Sequence, residues 1–73
     1  MSEHSKVIEE YLLTLYKIDR SGEKAKAVTL ANRLETSPPT VHATISRMQR
    51  DGLVDVKKSK VVSLTKEGQK VAE

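Results

Sequence analysis

The sequence has no cysteine, which removes both a disulfide framework and a thiolate metal cluster from consideration. It also has no phenylalanine or tryptophan, and its two tyrosines, Tyr11 and Tyr16, fall close together near the N-terminus. Platforms on which unpaired bases stack are therefore missing from the rest of the chain, so any nucleic-acid partner is expected to be a duplex. No apolar run reaches the roughly eighteen residues of a membrane span, and the opening MSEHSKVIEE lacks the apolar stretch of a signal peptide. A soluble, cytoplasmic protein is the expectation. No Ser/His/Asp spacing, glycine-rich phosphate loop or carboxylate pair in an apolar setting stands out, so no enzyme is expected. His4 and His42 are far apart and have no neighbouring ligand cluster, which makes them a poor metal pair.

What the 73 residues do carry is charge, unevenly spread over one small domain. The net charge is +3, and Met1 to Thr36 is balanced, with six basic and six acidic residues. From Ser37 to Glu73 there are seven basic residues against four acidic ones, so the excess lies entirely in the second half.

Apolar residues Ile8, Tyr11, Leu12, Leu15 and Tyr16 recur at helical spacing, predicting a first helix over about 5–19 that Gly22 brings to an end. A short second helix over about 27–35 places Val28, Ala31 and Leu34 on one face with Leu30 beside them. The third follows after only a few residues around Thr36 and Ser37, so the two must cross steeply, as in a helix-turn-helix. Scarce prolines mark its start. Ser37 suits the N-cap, Pro38 the first helical position, and Pro39 the second, where it removes another amide and leaves Ser37 only the amide of Thr40 to cap. Pro38 also biases Ser37 away from helical ψ, which sharpens the break. Over about 38–50, Val41, Ile45 and Met48 line the core face with Thr44 at its edge, while Pro39, Ala43, Ser46 and Arg50 point the other way, flanked by Thr40, His42 and Arg47. Gly52 is placed to be a left-handed residue after the helix, with Leu53 folding back on its last turn.

The period then changes. Two β-rich runs over about 53–56 and 61–64, separated by KKSK, predict a hairpin with a basic tip at Lys57, Lys58 and Lys60. A further helix starts at about 66 behind a Thr65 cap and meets the end of the sequence with no stop signal, so a longer parent protein truncated at Glu73 is expected. The fold expected is mainly α with a small β-hairpin: a winged helix-turn-helix, with a three-helix core, a two-stranded wing and the start of a further helix.

In that layout the third helix enters the DNA major groove and basic groups elsewhere hold phosphates. Ser37 and Thr40 can exchange hydrogen bonds with base edges, and Pro39 and Ala43 are small enough to meet a thymine methyl. Arg47, Arg50, Lys57, Lys58 and Lys60 can neutralise phosphates, and a protonated His42 at the interface would add to them. The competing reading is a winged-helix module for protein-protein contact without DNA binding. Such a surface would show aromatic or large aliphatic anchors on the exposed face of the third helix, which instead shows Thr, Ala, Ser and Arg.

The segments EEYLLTLYKI, LANRLETSPPTV, ISRMQRDGLV and LTKEGQKVA resemble the N-terminal DNA-binding domain of the diphtheria toxin repressor family of iron- or manganese-dependent repressors. The likeness spans almost the whole chain, and SPPTV followed by TISRM and RDGLV is its most specific part. It implies a reader module for a palindromic operator, within a homodimeric parent whose dimer is favoured by divalent iron or manganese. By position it implies base-reading roles for Ser37, Pro39, Thr40, His42 and Ala43, and phosphate contacts for Arg47, Arg50 and Lys60. Ala43 stands where family members often carry a longer amide. Glu10 falls where the first helix supplies a metal ligand, but Leu13 replaces the second acid of manganese regulators. The remaining ligands lie in dimerisation helices beyond Glu73, so this chain is expected to be a monomer holding no cofactor, its metal site incomplete.

Overall fold

The computed structural model describes residues 5–72, so His4 and Glu73 lie outside the described residues. Helix α1 runs Lys6–Ser21. Ser5 caps it, its Oγ accepting the Ile8 N–H at 3.2 Å. The helix continues two residues past the expected end, because the left-handed turn it needs is delivered only at Gly22, at φ 85°. Ile8, Tyr11, Leu12 and Leu15 are buried as the stripe predicts. Tyr16 is only partly buried and Ile18 takes the last core position instead. The Tyr16 ring lies under the Arg20 guanidinium, 5.6 Å from its centroid, an amphipathic ring left at the edge.

Helix α2, Ala27–Arg33, buries Leu30 and Ala31, with Leu34 half-buried. Val28, expected on the core face, is instead 57% exposed. A two-turn helix underdetermines its own stripe, and packing has selected the Leu30–Ala31 side. The helix also stops before the expected 35. Glu35 takes a left-handed φ of 53°. The Glu35 N–H reaches Asn32 O at 3.4 Å and the Thr36 N–H reaches Ala31 O at 2.9 Å, a Schellman ending without glycine.

Helix α3 spans Pro38–Arg50, with Val41, Ile45 and Met48 buried. It too ends in a Schellman motif, here with Gly52 at φ 78° and the Leu53 N–H on Met48 O at 2.9 Å. Leu53, fully buried, closes over the last turn. The strands are shorter than expected. β1, Val54–Val56, loses Leu53 to the helix ending, and β2, Val62–Leu64, loses Val61 to the turn. They pair antiparallel with Val54 opposite Leu64 and Val56 opposite Val62. Between them the Lys57 N–H binds Val61 O at 3.0 Å and the Lys60 N–H binds Lys57 O at 2.7 Å. Lys60, at φ 69°, holds the left-handed position usually given to glycine. One pairing has no sequence signal: the Val62 N–H donates to Ala25 O at 2.7 Å, so the segment before α2 adds an isolated bridge to the wing.

Helix α4, Lys66–Ala72, starts at the expected Thr65 cap, whose Oγ1 accepts the Gly68 N–H at 3.0 Å. It packs against α1 and β2, while α2 packs on α3, and one apolar core runs between the two pairs. Among the described residues no helix is long and apolar enough to cross a membrane.

Two substitutions separate local propensity from packing. A Cβ at Gly68 would lie 2.0 Å from the backbone oxygen of Leu53. Helix propensity alone makes Gly68→Ala stabilising by about 1 kcal/mol, but a clash with backbone costs about 1–3 kcal/mol or more. Sterics should win, and denaturant unfolding should show a net loss of at least about 1 kcal/mol. Lys60→Gly should go the other way. It relieves about 1–2 kcal/mol of left-handed strain, partly offset by the freer unfolded chain, for a net gain of about 0.5 kcal/mol by the same measurement.

Candidate nucleic-acid interface

The local chemistry at the start of α3 produces a stiff, outward-facing tip. Ser37 is extended, at φ −95° and ψ 152°, and its Oγ accepts the Thr40 N–H at 3.4 Å. The same Ser37 Oγ shares a 2.9 Å hydroxyl-hydroxyl hydrogen bond with Thr40 Oγ1. Ser37 thus holds both the backbone and the side chain of Thr40. Such a cap contributes about 1 kcal/mol. Pro38 and Pro39 fill the first two helical positions, so their φ angles need no ordering on folding.

Ser37, Pro39, Thr40, His42 and Ala43 are all exposed, as are Ser46, Arg47 and Arg50 further along the same helix. No acidic residue occurs between Ser37 and Arg50. The core face opposite is fixed by Val41 and Met48, neither of which has any exposed surface, so the helix has no freedom to rotate the polar face inward.

The wing brings a second set of cations to this side. Lys60 shares a groove with His42 and Ser46 of α3, with Val56 of the wing at its base. Lys57 is placed differently. It follows Val56 in the strand direction and lines a separate depression with Asp19, Glu23 and Lys24, on the other face of the hairpin. Lys58, at the tip, is exposed between the two. The hairpin therefore divides its lysines, and Lys60 is the one that faces α3.

Residues absent from the expected set also line the groove. Lys26, just before α2, and the exposed Val28 border it from the α2 side, and Gln49 from α3. Periodicity gave no access to Lys26, which lies outside any helix. Val28 falls on the face that helical spacing predicts to be buried, yet it is exposed. The Ala25 bridge, which seats this segment beside the wing, is a backbone contact with no side-chain signature.

Glu10 is remote from this face. It is exposed on α1 and lines a shallow depression with Leu13, Arg33 and Glu35. Arg33 is paired with Glu23 at 2.5 Å. Among the described residues no group of three or more His, Cys, Asp or Glu comes close enough to hold a metal ion. Two carboxylates beside an arginine and a leucine do not match the donor set that a resident iron or manganese needs.

Residues 3–62 match the family described as "Iron dependent repressor, N-terminal DNA binding domain". The diphtheria toxin repressor of Corynebacterium glutamicum is 42% identical over 64 residues, covering 88% of this chain and 28% of the relative. The iron-dependent repressor IdeR of Mycobacterium tuberculosis is 39% identical over 72 residues, covering 99% of this chain and 31% of the relative. The chain thus spans less than a third of the length of these relatives. Among solved structures, the manganese regulator SloR superposes with a TM-score of 0.78 at 29% identity, covering 89% of this chain and 30% of that one. The match over most of the chain and the shared winged-helix fold lead to one conclusion: this chain belongs to the iron-dependent repressor family, as its N-terminal DNA-binding domain.

Proposed function

We propose that this domain reads duplex DNA in a sequence-specific manner through the exposed start of α3, and that it serves as the reader module of a metal-dependent repressor in the cytoplasm. The observation that carries this reading is the acid-free face from Ser37 to Arg50, held outward by a buried apolar stripe and bordered by the cationic wing. Thr40, fixed by Ser37, offers a hydroxyl to a base edge, and Pro39 and Ala43 offer apolar surface to thymine methyls. His42 adds a donor beside them. Arg47 and Arg50, at the far end of the helix, and Lys58 and Lys60 of the wing take phosphates, with Lys57 contributing from the opposite face of the hairpin. The protein-contact alternative gains nothing from this surface, since α3 exposes no aromatic or large aliphatic anchor.

The metal dependence and the palindromic operator belong, in this proposal, to a homodimeric parent. Glu10 is the position of this chain that faces such a metal, and the 73 residues by themselves act as a monomer on one half-site. A lone half-site loses the gain from a linked second module, which reaches about 10²- to 10⁴-fold.

Two tests follow. In fluorescence titrations with a specific and a scrambled duplex, Arg47→Ala should weaken both and lower the salt slope by about one unit. Thr40→Ala should leave the slope unchanged and narrow the gap between the two duplexes by about 1 kcal/mol or more. Equal losses on both duplexes for both variants would count against base reading by Thr40. Manganese titrated into the 73-residue chain should produce no saturable micromolar shift of backbone amide resonances and no gain in duplex affinity. A saturable site would show that a complete metal site lies within these residues.

A further inference from the structure

His42 is the one residue on the exposed face of α3 whose charge can change near neutral pH. An imidazole ordinarily exchanges its proton near about pH 6.5, whereas arginine and lysine keep theirs and hydroxyls stay neutral. The groove that His42 lines takes Ile45, Ser46 and Gln49 from the same helix, so α3 supplies no other charge to it. Charges reach it from other elements. Lys26 borders it from the segment before α2 and Lys60 from the wing, and no acidic residue lines it. Asp55 alternates with Val54 and Val56 along β1 and pairs with Ser63, so it belongs to the opposite face of the hairpin. Among the described residues the imidazole has no ion-pair partner and belongs to no group able to hold a metal ion.

We propose that His42 makes duplex binding proton-linked: the domain takes up a proton at this imidazole as it engages DNA, so that acidification strengthens the complex without any metal. The inference rests on the duplex-binding reading above and adds a regulating input to it. In the free domain a charged imidazole would face two lysines and no carboxylate, and repulsion disfavours it. A phosphate brought near reverses the balance. The charged ring then donates a charge-assisted hydrogen bond to an anion, where the neutral ring donates only an ordinary one. The complex therefore holds more protons than the free chain, and affinity rises as pH falls from about 8 to about 6. Phosphodiesters stay ionised and bases stay neutral over this range, and free carboxylates titrate lower, near about pH 4. His4 and the α-amino group also change charge there, so the test separates them from His42.

The affinity of the whole 73-residue chain for one duplex is measured by fluorescence anisotropy at constant ionic strength across this range. From about pH 8 to about pH 6 the parent should gain about tenfold, and its salt slope should steepen by about one unit as one more phosphate is neutralised. His42→Gln keeps a hydrogen-bonding side chain that cannot titrate, and should lose both changes. His42→Lys, charged throughout, should hold the steeper slope at every pH. Both variants should melt as the parent does, because the position is exposed. His4→Gln should keep the parent's pH response. Calorimetric titrations near neutral pH, in two buffers of different ionisation enthalpy, should give proton uptake for the parent and none for His42→Gln. An affinity that stays flat with pH while still falling steeply with salt would overturn the proposal and leave duplex binding intact. A pH response that survives His42→Gln would overturn it equally. If the parent shows no salt-dependent duplex binding at any pH, the underlying reading falls, and the proton linkage with it.

Discussion

A single cluster of hydrogen bonds at Gly52, Leu53, Thr65 and Gly68 decides how the parts of this domain are oriented. Thr65 Oγ1 donates to Gly52 O at 2.7 Å and accepts from the Gly68 N–H at 3.0 Å, while the Thr65 N–H donates to Leu53 O at 3.1 Å. Helix α3 stops, the wing opens and closes, and α4 begins within these few residues. Gly68 has no Cβ because the Leu53 carbonyl occupies that space. Moving α4 would therefore disturb the end of α3 and both ends of the hairpin together. Close packing makes this coupling stiff, since neither the buried Leu53 nor the backbone beneath it has room to give.

Backbone strain is distributed in an informative way. Glu35 and Lys60 are the non-glycine residues with positive φ among the described residues, and each costs about 1–2 kcal/mol relative to a relaxed conformation. One closes the turn between α2 and α3, the other closes the wing, so both lie in segments that set where α3 and the hairpin sit. At Lys60 the left-handed turn lets its N–H close on Lys57 O at 2.7 Å. At Glu35 the left-handed turn lets α3 start with only four residues between it and the end of α2.

Much of this was legible from residues alone, and the exceptions share a cause. Helix α3 is bounded by local chemistry at both ends, Ser37-Pro38-Pro39 and Gly52, and its observed limits coincide with the expected ones. The register of α1 was readable because its stripe is long, although Ile18 rather than Tyr16 takes the final core place. Helix α2 is too short for periodicity to fix its face, so spacing alone puts Val28 on the wrong side and leaves the α2 side of the groove unseen. The Ala25 bridge and the Gly68 contact are long-range backbone approaches, which leave no pattern in nearby residues. The candidate DNA-facing set was recoverable on α3, where one helix carries it, and incomplete where three separate segments converge.

The closed entry to α3 also decides which kind of contact that helix offers at its tip. An α-helix normally begins with several amide groups free to bind an anion, and many proteins hold phosphates there. Here Pro38 and Pro39 have no amide hydrogen, the Thr40 N–H is bound to Ser37 Oγ, and the Val41 N–H is bound to Ser37 O at 3.0 Å. From Pro38 to Val41 no main-chain donor is left over. The first turn therefore offers an anion little main-chain charge, and the tip presents ring carbons, a methyl group and two hydroxyls. A helix end of this kind gains less from an anion than one whose first amides are free, and what it offers instead is shape and hydroxyl chemistry.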